Sequence, residues 1–380
     1  MNIIDAIKEV LEAKIPFDTY DKLSIYLKDV KFMFFDIINP YVDNILISIN
    51  NPHFYIDGLC DYSNIIFLDR FCCKSGASKI RVSNRLNFDV NLSTHIKNLF
   101  FNKKCDASLY DLIHDIKKNK MQISIGPTIF ENSYNQSGMN SIKKSYETLL
   151  AFSMLDRNSY DSIKNGNFDS NPISQDYVFA DNIWGVMRKS KNENNDLEKH
   201  KILFCLLSKM YLLKWDNTSR NKEIDLLNFA LDDLNVYCEN ELFFCMKYLE
   251  NDKNIKPFFD KVQPNSKNTI KKIENIAWDF LHIRLMENSL AVQSNENNVY
   301  YLYYFATADK ALHNIIEYNP INRIALYDSK VYPVRKHNIS EIIGLDLYNS
   351  LHNRNRTPYL VSKLNKLYIE LKNEINKNFN

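Results

Sequence analysis

The sequence predicts an α/β protein: a parallel sheet flanked by helices, with a large helical insertion and a helical C-terminal region. Three observations carry that expectation. Strand-like apolar runs alternate with helix-period segments at both ends of the 380-residue chain, the pattern of strand–helix–strand units. The stretch between them reads as one helix after another. Glycine is scarce, at 7 residues, where average usage of roughly 7% would give about 27; an all-β sandwich built on tight glycine turns is thereby excluded.

The elements follow in order. Residues 3–14 place Ile3, Ile4, Ile7, Val10 and Leu11 on one helical face. Lys31–Ile38 and Asn44–Ile49 are short apolar runs that fit either a strand or a buried helical turn. Asn64–Leu68 (NIIFL) is β-branched, short and ends in Asp69, which favours a buried strand. Residues 85–120 read as helices with polar breaks, the last being Leu109–Lys118. Met121–Ile125 (MQISI) is extended, and Gly126-Pro127 then opens a helix carrying Ile129, Phe130 and Glu131, with proline in its first turn. Ser141–Leu155 has helical spacing, while residues 156–180 and 189–197 are polar and lack a period, so both are expected to be loops. Glu198–Trp215 and Lys222–Tyr248 are strong helices; the second, at about 27 residues, exceeds the usual range and leaves room for a break. Thr269–Asn288 is helical, Val299–Ala306 (VYYLYYFA) is a strand, and Lys310–Ile316 restarts a helix. Arg323–Tyr327 and Val331–Val334 suggest one more strand and its edge. Ile339–Leu351 and Pro358–Ile375 are helical.

Composition narrows the function. Lysine plus arginine is 48 and aspartate plus glutamate 46, a net charge of +2. That balance argues against a polybasic nucleic-acid binder and against an acidic solvating tail. It leaves room for a nucleic-acid enzyme, which needs only a local basic surface. No G-x-G-x-x-G and no G-x-x-x-x-G-K-[ST] is present, so no glycine-rich loop cradles phosphate. Ile202–Leu213 is the longest membrane candidate, but Ser208 and Lys209 interrupt it, and a span needs about 20 apolar residues. It is expected to be a core helix, with no membrane partner. The seven cysteines (Cys60, Cys72, Cys73, Cys105, Cys205, Cys238 and Cys245) form no C-x-x-C and no zinc-finger spacing. With no secretory leader expected, they point to a reducing, cytoplasmic setting.

The informative residues are acids. Two strand-like runs each end in aspartate, NIIFL-Asp69 and YYFATA-Asp309, and open parallel sheets gather function at the carboxyl ends of their strands. Glu131 follows just after a strand-like segment. Asp279 sits inside the apolar stripe IAWDFLHIRL, where a bare carboxylate must be paired or metal-bound.

These phrases resemble the PIN-domain nucleases and their PIN-like relatives: NIIFLD as the opening strand and acid, ISIGPTIFE as the second acid, AWDFLHIRL as the third, and FATADKAL as the last strand with its aspartate. The resemblance covers about residues 61–131 and 270–328. It implies residues 61–134 and 269–337 as the two halves of a PIN-like domain. Residues 1–60 would then be an extension, 135–268 a helical insertion and 338–380 C-terminal helices. It implies a metal-dependent endonuclease, commonly on RNA, often a bacterial toxin or antiviral defence effector. Carried over, the catalytic and metal-binding acids are Asp69, Glu131, Asp279 and Asp309, supported by Thr307. The ions are Mg²⁺ or Mn²⁺, as hard carboxylate oxygens select. An antitoxin or other regulatory partner is implied by the toxin role. The family usually carries Asn or a small polar residue two positions after its first acid; here Phe71 stands there.

Other readings attach to the same residues. Asp57 and Asp61 are rivals for the first acid. Asp309 could simply cap the helix that starts at Lys310. Arg335 and Lys336, just after the last strand, are the best candidates for substrate phosphate. Tyr300, Tyr301, Tyr303, Tyr304 and Phe305 read as core rather than base-stacking platforms, and His282 and His313 as packing or hydrogen-bonding groups. A phosphohydrolase of the haloacid-dehalogenase type would need a second aspartate where Phe71 stands. The non-enzymatic alternative is a helical interaction or regulatory protein with a degenerate PIN-like core.

Overall fold

The computed structural model describes residues 1–37, 51, 53–62, 64–70, 81–102, 106–134, 139–193, 196–296, 299–352 and 360–379. Asn44–Ile49 and the cysteines at 72, 73 and 105 lie outside them. The chain divides into two compact units, Met1–Lys189 with Arg284–Lys336, and Ser190–Ile283 with His337–Asn380.

The first unit holds eight strands among the described residues: β1 Lys31–Phe34, β2 Tyr55–Gly58, β3 Ile66–Leu68, β4 Val82–Phe88, β5 Gln122–Ser124, β6 Tyr300–Thr307, β7 Ile321–Tyr327 and β8 Lys330–Arg335. They form two sheets rather than the single parallel one expected. The first, in the order β3-β1-β7-β8, is antiparallel throughout. Its β7–β8 turn places Asp328 and Ser329 at φ 50° and 55°, as a two-residue hairpin whose twist matches its strands requires. The helix Ile3–Glu12 buries Ala6, Ile7, Val10 and Leu11 in one apolar cluster with Phe32, Phe34 and Ala325. Arg323 fastens that helix: its guanidinium donates to the carbonyls of Leu11 and Ala13 at 2.8 Å and pairs with Asp36. The N-terminal 60 residues are therefore no appended extension. They supply β1 and β2, which pair with the distant β7 and β6.

The second sheet runs β2-β6-β4-β5. Here β4 pairs in parallel with both β5 and β6, and β2 adds an antiparallel edge. Every residue of β6 is buried, the continuous pattern of a strand covered on both faces; the tyrosines are core, as expected. Each parallel strand hands over to a helix: β4 to Val90–Phe101, β5 to Gly126–Tyr134 and β6 to Lys310–Tyr318. Three helix N-termini thus gather at one end of this sheet.

Several expected elements differ. Residues 82–88 form an inner strand, where the sequence predicts 85–88 to be part of a helical region. The 156–180 loop contains helices Tyr160–Lys164 and Ser174–Glu193, and the latter runs into the second expected loop. Lys222–Tyr248 is broken: helix Lys222–Asn228 passes into a π-helical turn at Phe229–Asp233, Asn235 turns left-handed at φ 56°, and Glu239–Leu249 resumes.

In the second unit the helix Asp196–Trp215 is buried around most of its circumference and packs against Val361–Phe379, with Phe204 and Tyr368 rings 4.9 Å apart. Cys205, Cys238 and Cys245 are buried thiols outside any disulfide, as is Cys60 in the first unit. No described helix is long and apolar enough to cross a membrane.

Two outcomes are expected. Gly58 ends β2 where a Cβ would lie 2.6 Å from the Cys60 carbonyl and 2.7 Å from the Tyr62 ring. Gly58→Ala must move backbone, and should lower the unfolding free energy by about 1–3 kcal/mol, read as a lower urea midpoint at constant slope. His200 is buried, donates from Nε2 to the Glu274 carbonyl at 3.1 Å and stacks on Trp278. Burial holds its pKa down to about 4, against a free value of 6.5. The unfolded chain then takes up the proton first, so stability should fall as pH drops from about 6.5 toward 4. His200→Gln should flatten that slope in pH-dependent melting curves.

Candidate active site

β4 and β6 stay in parallel register through Phe88↔Ala306, so the next residues, Asp89 and Thr307, leave the sheet side by side. The Asp89 N–H donates to the Ala306 carbonyl at 3.0 Å. The Thr307 hydroxyl donates to Asp89 Oδ2 at 2.5 Å and accepts the Asp309 N–H at 2.9 Å. One fully buried hydroxyl therefore ties both acids together.

Each acid also starts its own helix. Asp89 Oδ1 accepts the Leu92 N–H at 2.5 Å, and Asp309 Oδ1 accepts the N–H groups of Ala311 and Leu312 at 2.8 and 3.3 Å. These are N-caps, satisfying amides that a helix leaves without internal partners. The third helix is fixed to the same place, because the Thr128 hydroxyl donates to the Phe88 carbonyl. Glu131 lies three residues on, hence on the same helix face, and is half-buried.

Electrostatics make this a charged end of the sheet. Burial pushes the Asp89 carboxyl upward, hydrogen bonds from Thr307, Leu92 and Ala308 pull it down, and the Asp309 charge raises it again. Three helix N-termini contribute positive potential against these carboxylates. The groups gathered here are oxygen only, two carboxylates and a hydroxyl, and they are already engaged with backbone amides and with one another.

The residues singled out from the sequence do not all come here. Asp309 and Thr307 do, and Glu131 stands on the adjoining helix. Asp69 does not. β3 belongs to the antiparallel sheet, and Asp69 Oδ2 accepts the Tyr300 hydroxyl at 2.7 Å, with Lys31 close enough for its charge to be felt. Tyr300 begins β6 and Asp309 follows its end. At about 3.3 Å per residue, the eight residues of β6 put roughly 25 Å between its two ends, so Asp69 and Asp309 are too far apart to share one ion. Asp279 is half-buried on the Thr269–Glu296 helix, in the part that belongs to the second unit. Arg335 is committed internally, ion-paired with Glu287 and donating to the Asn319 carbonyl at 2.9 Å, so it offers little to a phosphate. Lys336 lines a separate cleft.

Asp89 was missed because VSNRLNF, with Ser, Asn and Arg at alternate places, masks a central strand. The available signal was Asp89-Val90-Asn91, an acid with Asn two positions on, directly before the helix-period run LSTHIKNLFF.

A second cluster joins β2 to the Lys310–Tyr318 helix. His313 Nδ1 lies 2.7 Å from Asp57 Oδ1, and His313 Nε2 lies 3.3 Å from Glu317 Oε2. Tyr55, two residues before Asp57 and so on the same strand face, stacks on the imidazole at 4.4 Å. Burial pushes the Asp57 carboxyl up, and the Asp57 hydrogen bond pushes His313 up; both shifts keep a proton between them. Ligand atoms of the three residues lie within 4.8 Å of one another, so the group could hold a metal ion.

Compared with known proteins, the chain matches no family model, no curated protein and no solved structure.

Thr307 sets the relation of the two acids, which yields a test. Thr307→Val keeps the shape but removes a buried donor and acceptor at once. It should lower stability by about 1–3 kcal/mol in urea unfolding, whereas Thr307→Ser, which keeps the hydroxyl, should lose markedly less.

Proposed function

We propose that the chain is a metal-dependent phosphodiesterase, an endonuclease of PIN-like type that cuts RNA, with Asp89 and Asp309 as its central acids. The observation that carries this is the meeting of Asp89, Thr307 and Asp309 at the carboxyl ends of two adjacent parallel strands, where open α/β sheets hold their reactive groups. Asp89 takes the role first assigned to Asp69, and Asn91 supplies the polar residue that Phe71 could not. Glu131, on the helix that Thr128 pins beside β4, is the third acid of the unit. Asp279 remains as expected from the resemblance only.

On this proposal Asp89, Asp309 and Glu131 would hold Mg²⁺ or Mn²⁺. The bound ion would acidify a water and offset phosphate charge. The chain's own part is positional. Thr307 ties the Asp89 carboxylate to the Asp309 backbone N–H. The helix N-termini at Val90, Gly126 and Lys310 orient amide dipoles toward a polyanion. To meet the ion, the Asp89 and Asp309 carboxylates would share oxygens that now cap their helices.

Purified full-length chain should cleave labelled RNA with Mn²⁺ and stop with EDTA. Asp89→Asn and Asp309→Asn should each reduce the rate by at least about 100-fold, the scale at which one electrostatic stabiliser acts, with circular dichroism checking that each variant is folded. Asp69→Asn should cleave like the parent. Metal-independent cleavage, or full activity in both variants, would refute the assignment.

A further inference from the structure

The Asp57–His313–Glu317 cluster is not used by the acids at Asp89 and Asp309, and its parts are arranged for a ligand of another kind. Asp57 is 6% exposed. One of its oxygens takes the His313 Nδ1 proton; the other, Oδ2, is buried with no hydrogen-bond partner. An unpaired buried carboxylate oxygen is costly, typically a few kcal/mol, unless something meets it. Asp57 lines a cleft of about 610 Å³ that also presents Asp36, Asp61, Glu317, Tyr304 and Lys336. The Tyr304 hydroxyl is likewise buried without a partner. Arg323 engages Asp36. Four carboxylates against one ammonium make this a place for a cation.

We propose that Asp57, His313 and Glu317 form a binding site for a divalent transition ion of the Zn²⁺, Co²⁺ or Mn²⁺ class. His313 and Glu317 stand one turn apart on the same helix face, their donor atoms 3.3 Å apart. With bonds of about 2.0–2.2 Å, neighbouring ligands on one ion are separated by roughly 3 Å, so little movement is required. Asp57 accepts the Nδ1–H and leaves Nε2 to face Glu317, the carboxylate–histidine arrangement that fixes a ligand ring and raises its basicity. Tyr55 holds the ring plane from the other side. Asp57 Oδ2 remains for a water of the site. The imidazole sets the class of ion: nitrogen donors favour first-row transition metals over Mg²⁺ and Ca²⁺. Glu317, with its side chain 64% exposed, stands at the entrance, where an ion arrives from solvent. The site is independent of the nuclease proposal.

The test uses the full chain, stripped with EDTA and titrated with Zn²⁺ by calorimetry in excess Mg²⁺, with Co²⁺ absorbance as a second readout. One Zn²⁺ step that Mg²⁺ does not displace is expected. His313→Gln and Glu317→Gln should each weaken it at least about 10-fold, and Asp57→Asn by about 10- to 100-fold, the usual effect of removing a histidine's orienting carboxylate. Glu317→Gln changes an exposed side chain, and circular dichroism checks that its fold is intact. Asp89→Asn and Asp309→Asn should leave the step unchanged. The proposal is overturned if the parent shows no such step, if His313→Gln and Glu317→Gln bind Zn²⁺ as the parent does, or if the step disappears with Asp89→Asn instead.

Discussion

Parallel pairing of β4 with β6 is the constraint on which the first unit depends. It brings residues 82–88 against residues 300–306, across most of the chain's length. Parallel neighbours cannot be joined by a hairpin and need a crossover; here the intervening chain supplies β5, its following helix and the long helical region. Once this register is set, Asp89 and Thr307 emerge together, and the helices at Val90 and Lys310 must start at the same end. β2 then closes on β6 from the other side, which carries Asp57 to the helix that bears His313 and Glu317. Both candidate sites are consequences of the neighbours β6 receives.

The chemistry also follows from what the chain lacks. With 7 glycines and no phosphate-cradling loop, the proposed function would leave anion recognition to helix N-termini and to cations held by carboxylates. The two acid clusters divide this work differently. Around Asp89 and Asp309 the donors are oxygen and the caps bind the acids tightly to backbone, and the proposal places a hard ion there. Around Asp57 an imidazole joins the acids and a buried oxygen is left without a partner, which suits a softer ion.

Much of the fold was legible in the sequence where one signal dominated. β6 announced itself by eight apolar and aromatic residues in a row, and the helices at Ile3, Ala107, Asp196 and Thr269 by their period and by stretches of buried positions. FATADKAL correctly marked a strand end at which an acid, a hydroxyl and a helix meet. What was not legible depended on partners far away in sequence. β4 looks polar because its side chains meet other strands and helices: Arg85 packs over the Tyr301 ring at 4.9 Å, and Asn87 is buried between Phe305 and Ser124 in the ladder. Without β4, Asp89 had no strand to end, and the first-acid role went to Asp69, whose run is apolar but belongs to the antiparallel sheet. Asp57 and His313 were each plain alone. Only the antiparallel seating of β2 on β6 brings them to 2.7 Å, and no local pattern encodes a pairing 256 residues apart.

Anomalous scattering from crystals soaked in Mn²⁺ tests the central claim most directly, because it locates the ion without reference to a substrate. The account predicts a peak bounded by the carboxylates of Asp89 and Asp309 at the carboxyl ends of β4 and β6. No peak there, at Mn²⁺ concentrations that support cleavage, would contradict it.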